Sequence, residues 1–192
     1  MTKIPCEDNL EKRQSMSKKQ SSYEIYLGLG SNLGNRFDNL RTALKHLQDK
    51  HIYPKLFSSL YETPPWGYLE QPHFLNATIS ATTDLSPQEI LRKVKIIESN
   101  MGRVENNKRW QERLIDIDIL LIPGQIINSD ELQVPHSYLH ERSFVLVPLA
   151  EISPSLIHPK IGLRVESLRD LRPLAERQSI LKISTQEWLS ES

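Results

Sequence analysis

The sequence predicts an α+β domain with a ferredoxin-like βαββαβ core, an antiparallel sheet with both helices packed on one face, followed by C-terminal additions. Two observations predict it. Apolar residues alternate with period two in four segments and recur with helical period in two. These segments follow one another as strand, helix, strand, strand, helix, strand, which is the split-βαβ order.

Residues 24–29 alternate around Ile25, Leu27 and Leu29 as a strand does. Gly30-Ser31-Asn32 then turns the chain into a helix carrying Leu33, Phe37, Leu40, Leu44 and Leu47 on one face. Residues 57–61 read as the second strand. It is stopped by Thr63-Pro64-Pro65-Trp66-Gly67, where consecutive prolines can continue neither helix nor ladder. Residues 74–82 alternate as the third strand. Ser86-Pro87-Gln88-Glu89 then supplies an N-cap, a first-turn proline and a capping-box glutamate. Ile90, Val94, Ile97 and Met101 form the face of this second helix, and Gly102 suits a left-handed C-terminal position. A polar loop leads to the fourth strand, residues 114–122.

The ends differ from this centre. Residues 1–22 are polar and without apolar period, so they are expected as a disordered tail, with Met16 a second candidate start. The domain is expected over 23–171. The extension, 172–192, contains Ile180, Leu181, Ile183, Trp188 and Leu189, enough for a short strand or helix.

Composition narrows the function. The 24 basic residues equal the 24 acidic ones, so the chain lacks the positive field of a nucleic-acid or membrane-surface protein. One cysteine, Cys6, cannot form an internal disulfide, and neither a membrane span nor a signal-type apolar run is present. A cytoplasmic protein is expected.

The chemistry concentrates in Leu114-Ile115-Asp116-Ile117-Asp118-Ile119-Leu120. Side chains two apart on a strand share a face at roughly 6–7 Å, so Asp116 and Asp118 point together while the isoleucines point into the core. Paired carboxylates repel unless a cation lies between them, and hard oxygen ligands with free positions suit Mg²⁺. Two solvated aspartates on an open face is the alternative. Aspartate is a poor strand former, however, and Arg103, Lys108, Arg109 and Arg113 crowd the loop entering this strand. Arginine forks match phosphate oxygens, so metal ligands beside a basic loop indicate a polyphosphate site. Pairing of these arginines with Glu105 and Glu112 is the competing reading. Trp110, in the same loop, is a candidate to stack on a purine.

Gly28-Leu29-Gly30-Ser31-Asn32-Leu33-Gly34 resembles a dinucleotide fingerprint, but its third glycine comes one residue late and no acidic strand end follows. The glycines are assigned to the turn.

That stretch, with Tyr61-Glu62-Thr63-Pro64-Pro65, Gln71-Pro72-His73-Phe74-Leu75-Asn76, Gly102-Arg103, Arg113 to Leu120 and Val134-Pro135-His136, makes six collinear motifs. Together they resemble the 6-hydroxymethyl-7,8-dihydropterin pyrophosphokinases of folate biosynthesis. The resemblance implies transfer of the β,γ-diphosphate of ATP to the pterin hydroxymethyl group, with AMP released. It implies that Asp116 and Asp118 ligate two Mg²⁺ ions and that Arg103 and Arg113 neutralise transition-state charge. Glu98, Arg109, Trp110, Arg113, His136 and Arg142 would hold ATP. Phe74 and Phe144 would sandwich the pterin, with Asn76, Asp116 and the Thr63, Pro64 and Trp66 loop recognising its edge. Family members of this size imply a monomer. Glu105, Gln111, Glu112, Ser137 and Lys95 depart from the family's common pattern. Two rivals remain: a non-catalytic pterin- or nucleotide-binding homologue, and a metal-dependent phosphodiesterase built on the aspartates.

Overall fold

The computed structural model describes residues 21–65, 70–102 and 112–184. Its sheet is organised around β1 (Tyr23–Ser31), which pairs antiparallel with β4 (Phe74–Thr83) on one side and β5 (Asp116–Leu121) on the other. β2 (Tyr53–Phe57) and β3 (Leu60–Thr63) both pair with β4. The expected order is therefore present, with the second strand in two pieces. The cause lies in two serines. The Ser58 hydroxyl accepts the Thr78 N–H at 2.9 Å, and the Ser59 N–H leaves the ladder to reach Glu151 at 2.8 Å.

α1 (Arg36–Asp49) and α2 (Pro87–Asn100) cover one face. That face carries Ile25, Leu27 and Leu29 of β1, Ala77 and Ile79 of β4, and Ile117 and Ile119 of β5, all buried with Leu40, Leu47, Ile90, Val94 and Ile97 of the helices. Each large apolar side chain so buried contributes about 2 kcal/mol. The capping box on α2 is formed: Glu89 N–H donates to the Ser86 hydroxyl at 3.4 Å, and Ser86 N–H to the Glu89 carboxylate at 2.8 Å. Gly102 takes the left-handed position, at φ 100°. α1 begins later than its leucine spacing suggests. Asn35 is its cap, accepting the Asp38 N–H at 3.3 Å, so Leu33 precedes the helix and is partly exposed, at 40%.

A short ribbon of β6 (Ile127–Asn128) and β7 (Gln133–Val134) follows, with a cis Val134–Pro135 bond after it. α3 (Ser143–Ile152) and α4 (Val165–Asp170) then pack on the opposite face of the sheet, against Tyr26, Leu120 and Leu121. They cover one end of that face. α5 (Leu174–Gln178) leads to β8 (Leu181–Ser184), which pairs with β3, so the chain beyond residue 171 adds an edge strand to the main sheet. Among the described residues no helix is long and apolar enough to cross a membrane.

Candidate active site

The uncovered end of the second sheet face is a cleft of about 460 Å³. Its floor is glycine. Gly28 and Gly30 lie inside β1, opposite Thr78 and Asn76 of β4 on one side and Asp118 and Asp116 of β5 on the other. The assignment of both glycines to the turn is thus corrected; of these three, only Gly34 has a left-handed backbone, φ 63°. Gly30 has no room for more, because a Cβ there would stand 2.7 Å from the Asn76 Oδ1. The absent side chains open a trough between an acidic wall and a wall of aromatic and amide side chains.

The acidic wall is Asp116 and Asp118, directed to one face as their spacing requires. Arginines meet both: Arg113 Nη1 lies 2.6 Å from Asp116 Oδ1, and Arg142 Nη1 lies 3.6 Å from Asp118 Oδ2. Burial pushes Arg142 below its ordinary value, against the pull of Asp118 and Asp116, and an arginine keeps its charge regardless. Its guanidinium also lies over the rings of Tyr138 and Phe144, at 5.3 and 5.6 Å, which fixes its plane. His136 is held to the end of β5 by its N–H on Leu120 O at 2.8 Å. Its Nδ1 accepts the Tyr138 N–H at 3.2 Å, leaving Nε2 to carry the proton. Burial, with Arg142 beside it, lowers its pKa to about 4 despite Asp116, so it is a neutral donor at physiological pH.

The opposite wall is Phe74, Asn76, Thr63 and Pro64, with Phe144 reaching in from α3. Asn76 Nδ2 donates to Thr63 Oγ1 at 2.7 Å, which aims the amide. Phe74 and Phe144 are half-buried and line the cleft, Phe144 while also packing against the core beneath α3.

The Glu98 side chain bonds the backbone of β5. It is buried outside the cleft lining, and its Oε1 accepts the Ile117 N–H at 2.9 Å, satisfying the outer edge of β5 between the two aspartates. That bond helps hold their strand. Trp66, Arg103, Arg109 and Trp110 lie outside the described residues, as do Glu105 and Gln111. Tyr138 and Gln71 also line the cleft; neither was given a role from sequence, Gln71 standing only as part of a motif and Tyr138 as a loop residue with no periodic signal.

Two carboxylates with arginines and a neutral histidine on one wall, and Phe74, Asn76, Thr63 and Pro64 on the other, thus line one cleft on a ferredoxin-like fold. Comparison with known proteins gives the family. Residues 26–154 match the family model for 7,8-dihydro-6-hydroxymethylpterin-pyrophosphokinase, and the chain belongs to that family. It is 44% identical over 135 residues to the 2-amino-4-hydroxy-6-hydroxymethyldihydropteridine pyrophosphokinase of Aquifex aeolicus, covering 70% of this chain and 83% of that protein. It is 37% identical over 166 residues to the folic acid synthesis protein of Dictyostelium discoideum, covering 86% of this chain but only 25% of that longer one. The crystal structure of Plasmodium falciparum HPPK-DHPS with pteroate matches in fold, with TM-score 0.62 and 19% identity over 80% of this chain and 44% of that one.

Proposed function

We propose that this chain transfers the β,γ-diphosphate of ATP to the hydroxyl of 6-hydroxymethyl-7,8-dihydropterin, giving AMP and the pterin diphosphate. The observation that carries this reading is the glycine floor, which puts the carboxylate pair and the Asn76 amide on opposite sides of a single trough. The pterin ring lies between Phe74 and Phe144, and Asn76 offers a donor and an acceptor to its amide-like edge. ATP phosphates lie along β5.

The donor set fits Mg²⁺, which commonly takes one or two protein carboxylates and fills its octahedron with water and phosphate oxygens. Asp116 and Asp118 would hold it, and when bound it neutralises phosphate charge. Arg113 spends one of five N–H donors on Asp116 at 2.6 Å, leaving others for a phosphate oxygen beside the metal ligands. Neutral His136 presents Nε2–H to a second phosphate oxygen. The pterin hydroxymethyl oxygen attacks the β-phosphorus, the bond from that phosphorus to the α–β bridging oxygen breaks, AMP leaves with that oxygen, and the hydroxyl proton passes to solvent. Such a transfer depends on positioning and charge neutralisation more than on covalent help. Arg103, Arg109 and Trp110 complete the ATP site in this reading, Trp66 the pterin loop, and the enzyme works as a cytoplasmic monomer.

The test is product analysis with ATP, Mg²⁺ and the dihydropterin, comparing wild type with Asp116→Ala. AMP and pterin diphosphate in equal amounts, lost in the variant, are expected. ADP would mean transfer of one phosphoryl group and would overturn the reading. A non-catalytic binding module would show pterin binding without turnover, yet Asp116, Asp118 and Arg113 all line the cleft.

A further inference from the structure

The walls of the trough come from segments far apart in sequence, and one side chain touches the entry to both. Asn32, just after β1, is 2% exposed. Its Oδ1 accepts the Arg113 N–H at 2.7 Å, while its own N–H donates to Arg113 O at 3.1 Å. Its Nδ2 donates in the other direction, to Gln71 Oε1 at 3.1 Å and Pro72 O at 3.4 Å. The orientation of the amide is not arbitrary. A backbone N–H can only donate and a carbonyl only accept, so Arg113 requires the oxygen and Pro72 the nitrogen.

The turn carrying Asn32 is itself fixed. Asn39 Nδ2 donates to Leu33 O at 2.8 Å and to Ser31 Oγ at 3.1 Å. Arg36, at the start of α1, donates to His73 O at 2.8 Å and pairs with Glu62 at the same distance. Residues 71–73 are thereby held to one turn by Asn32 and Arg36 together. On the other side, the Arg113 backbone gripped by Asn32 sets where its guanidinium meets Asp116 and how the chain enters β5.

We propose that Asn32 is a positioning residue for diphosphate transfer, with its two amide ends serving different substrates: Oδ1 sets the Arg113–Asp116 pair for the phosphates, and Nδ2 sets the Gln71–Pro72 segment beside Phe74 for the pterin. No other side chain of that length offers a donor and an acceptor at once. Aspartate keeps the acceptor and loses the donors; alanine loses both. This rests on the proposed reaction, so the experiment separates the two.

Wild type, Asn32→Asp and Asn32→Ala are compared at pH 8, where a carboxylate is ionised, by steady-state kinetics with each substrate varied. Hydrogen exchange at the Arg113 amide is followed in the same proteins without ligands. Asn32→Asp should raise the pterin KM about tenfold, the loss of one or two hydrogen bonds, with kcat within a few-fold of wild type. Asn32→Ala should also lower kcat by about a hundredfold, as small misplacements of transfer groups do. The Arg113 amide should stay protected in Asn32→Asp and exchange faster in Asn32→Ala. Lower melting temperatures with unchanged kcat and KM in both variants would make Asn32 merely structural and overturn the inference. So would equal loss of kcat in both variants, or unchanged Arg113 protection in Asn32→Ala. If the wild type gives no pterin diphosphate, the reaction assignment fails, and the exchange split still decides whether the clamp exists.

Discussion

Gly30→Ala is the smallest change that should injure pterin binding while leaving the fold intact. Gly30 has no positive φ, so alanine meets no backbone strain there, and the loss of glycine freedom in the unfolded chain even favours folding by about 0.5 kcal/mol. The harm is local. The new Cβ would lie 2.7 Å from Asn76 Oδ1, with Phe74 Cδ1 next at 3.6 Å. A carbon–oxygen contact settles near 3.3 Å, so the amide must retreat by about 0.6 Å. It cannot do so freely, because Asn76 Nδ2 is bonded to Thr63 Oγ1 at 2.7 Å. Losing one ligand hydrogen bond costs about 1 kcal/mol, and turning the amide off its rotamer about as much again. Together, about 2 kcal/mol corresponds to roughly a thirtyfold loss in kcat/KM for the dihydropterin. Steady-state kinetics with the pterin varied should show this chiefly in KM, with the ATP KM within about twofold and the melting temperature within a few degrees. Gly28→Ala is the internal control, since its Cβ would meet only the flexible end of Leu120, at 3.3 Å. A pterin KM unchanged in Gly30→Ala would refute the glycine-floor reasoning, and one changed equally in Gly28→Ala would refute the assignment of the harm to the Asn76 contact.

Three further outcomes are expected. Glu151 accepts from Ser59 N–H and hydroxyl at 2.8 and 2.7 Å, from Tyr61 at 2.9 Å and from Lys182 at 3.0 Å, tying α3 to the strand break and β8. Glu151→Ala should cost about 2–3 kcal/mol after allowance for its partial exposure, with a melting temperature roughly 5–10 °C lower; urea unfolding within 0.5 kcal/mol of wild type would contradict this. Partial burial raises the Glu151 pKa, but its bonds from Ser59, Lys182 and Tyr61 outweigh that and lower it, so this stabilisation is present above the ordinary glutamate range and lost as pH falls through the depressed value. His136 has the opposite origin. Burial holds it neutral down to about pH 4, so between its unfolded value near 6.5 and that point the unfolded chain binds more protons. Stability should therefore fall with pH across that window, by up to about 3 kcal/mol, and His136→Asn should flatten the slope; parallel urea midpoints from pH 7 to 4 would contradict it. Ser86→Ala removes the α2 cap and should cost about 1 kcal/mol without altering either KM, as thermal unfolding and kinetics would show.

Where a signal is periodic or local, the sequence is easily read. Ser86 and Glu89 announce α2 because the capping box is written within four residues, and Asp116 and Asp118 share a face because strand alternation leaves no choice. Departures arise where a side chain replaces a backbone partner. Ser58 and Ser59 break the second strand through bonds to residues 20 and 92 positions away, which no window on the sequence contains. α3 was hidden by Pro148 within its span, a residue that argues against helix on local grounds and is overridden by packing on the sheet. Gly28 and Gly30 looked like turn residues, since glycine signals a turn far more often than an empty floor between two walls. Glu98 and Asn32 are single polar residues whose roles depend on partners 19 and 81 positions distant. Their residue types disclose hydrogen-bonding capacity, and only the fold discloses to whom.

The central claim is attack at the β-phosphorus, and an isotope placed at the α–β bridge tests it directly. ATP carrying ¹⁸O in that bridging position is turned over with Mg²⁺ and the dihydropterin, and both products are examined by mass spectrometry and ³¹P NMR. All of the label should leave with AMP, in amounts equal to the pterin diphosphate formed. Label in the pterin product, or ADP as the nucleotide released, would contradict the account.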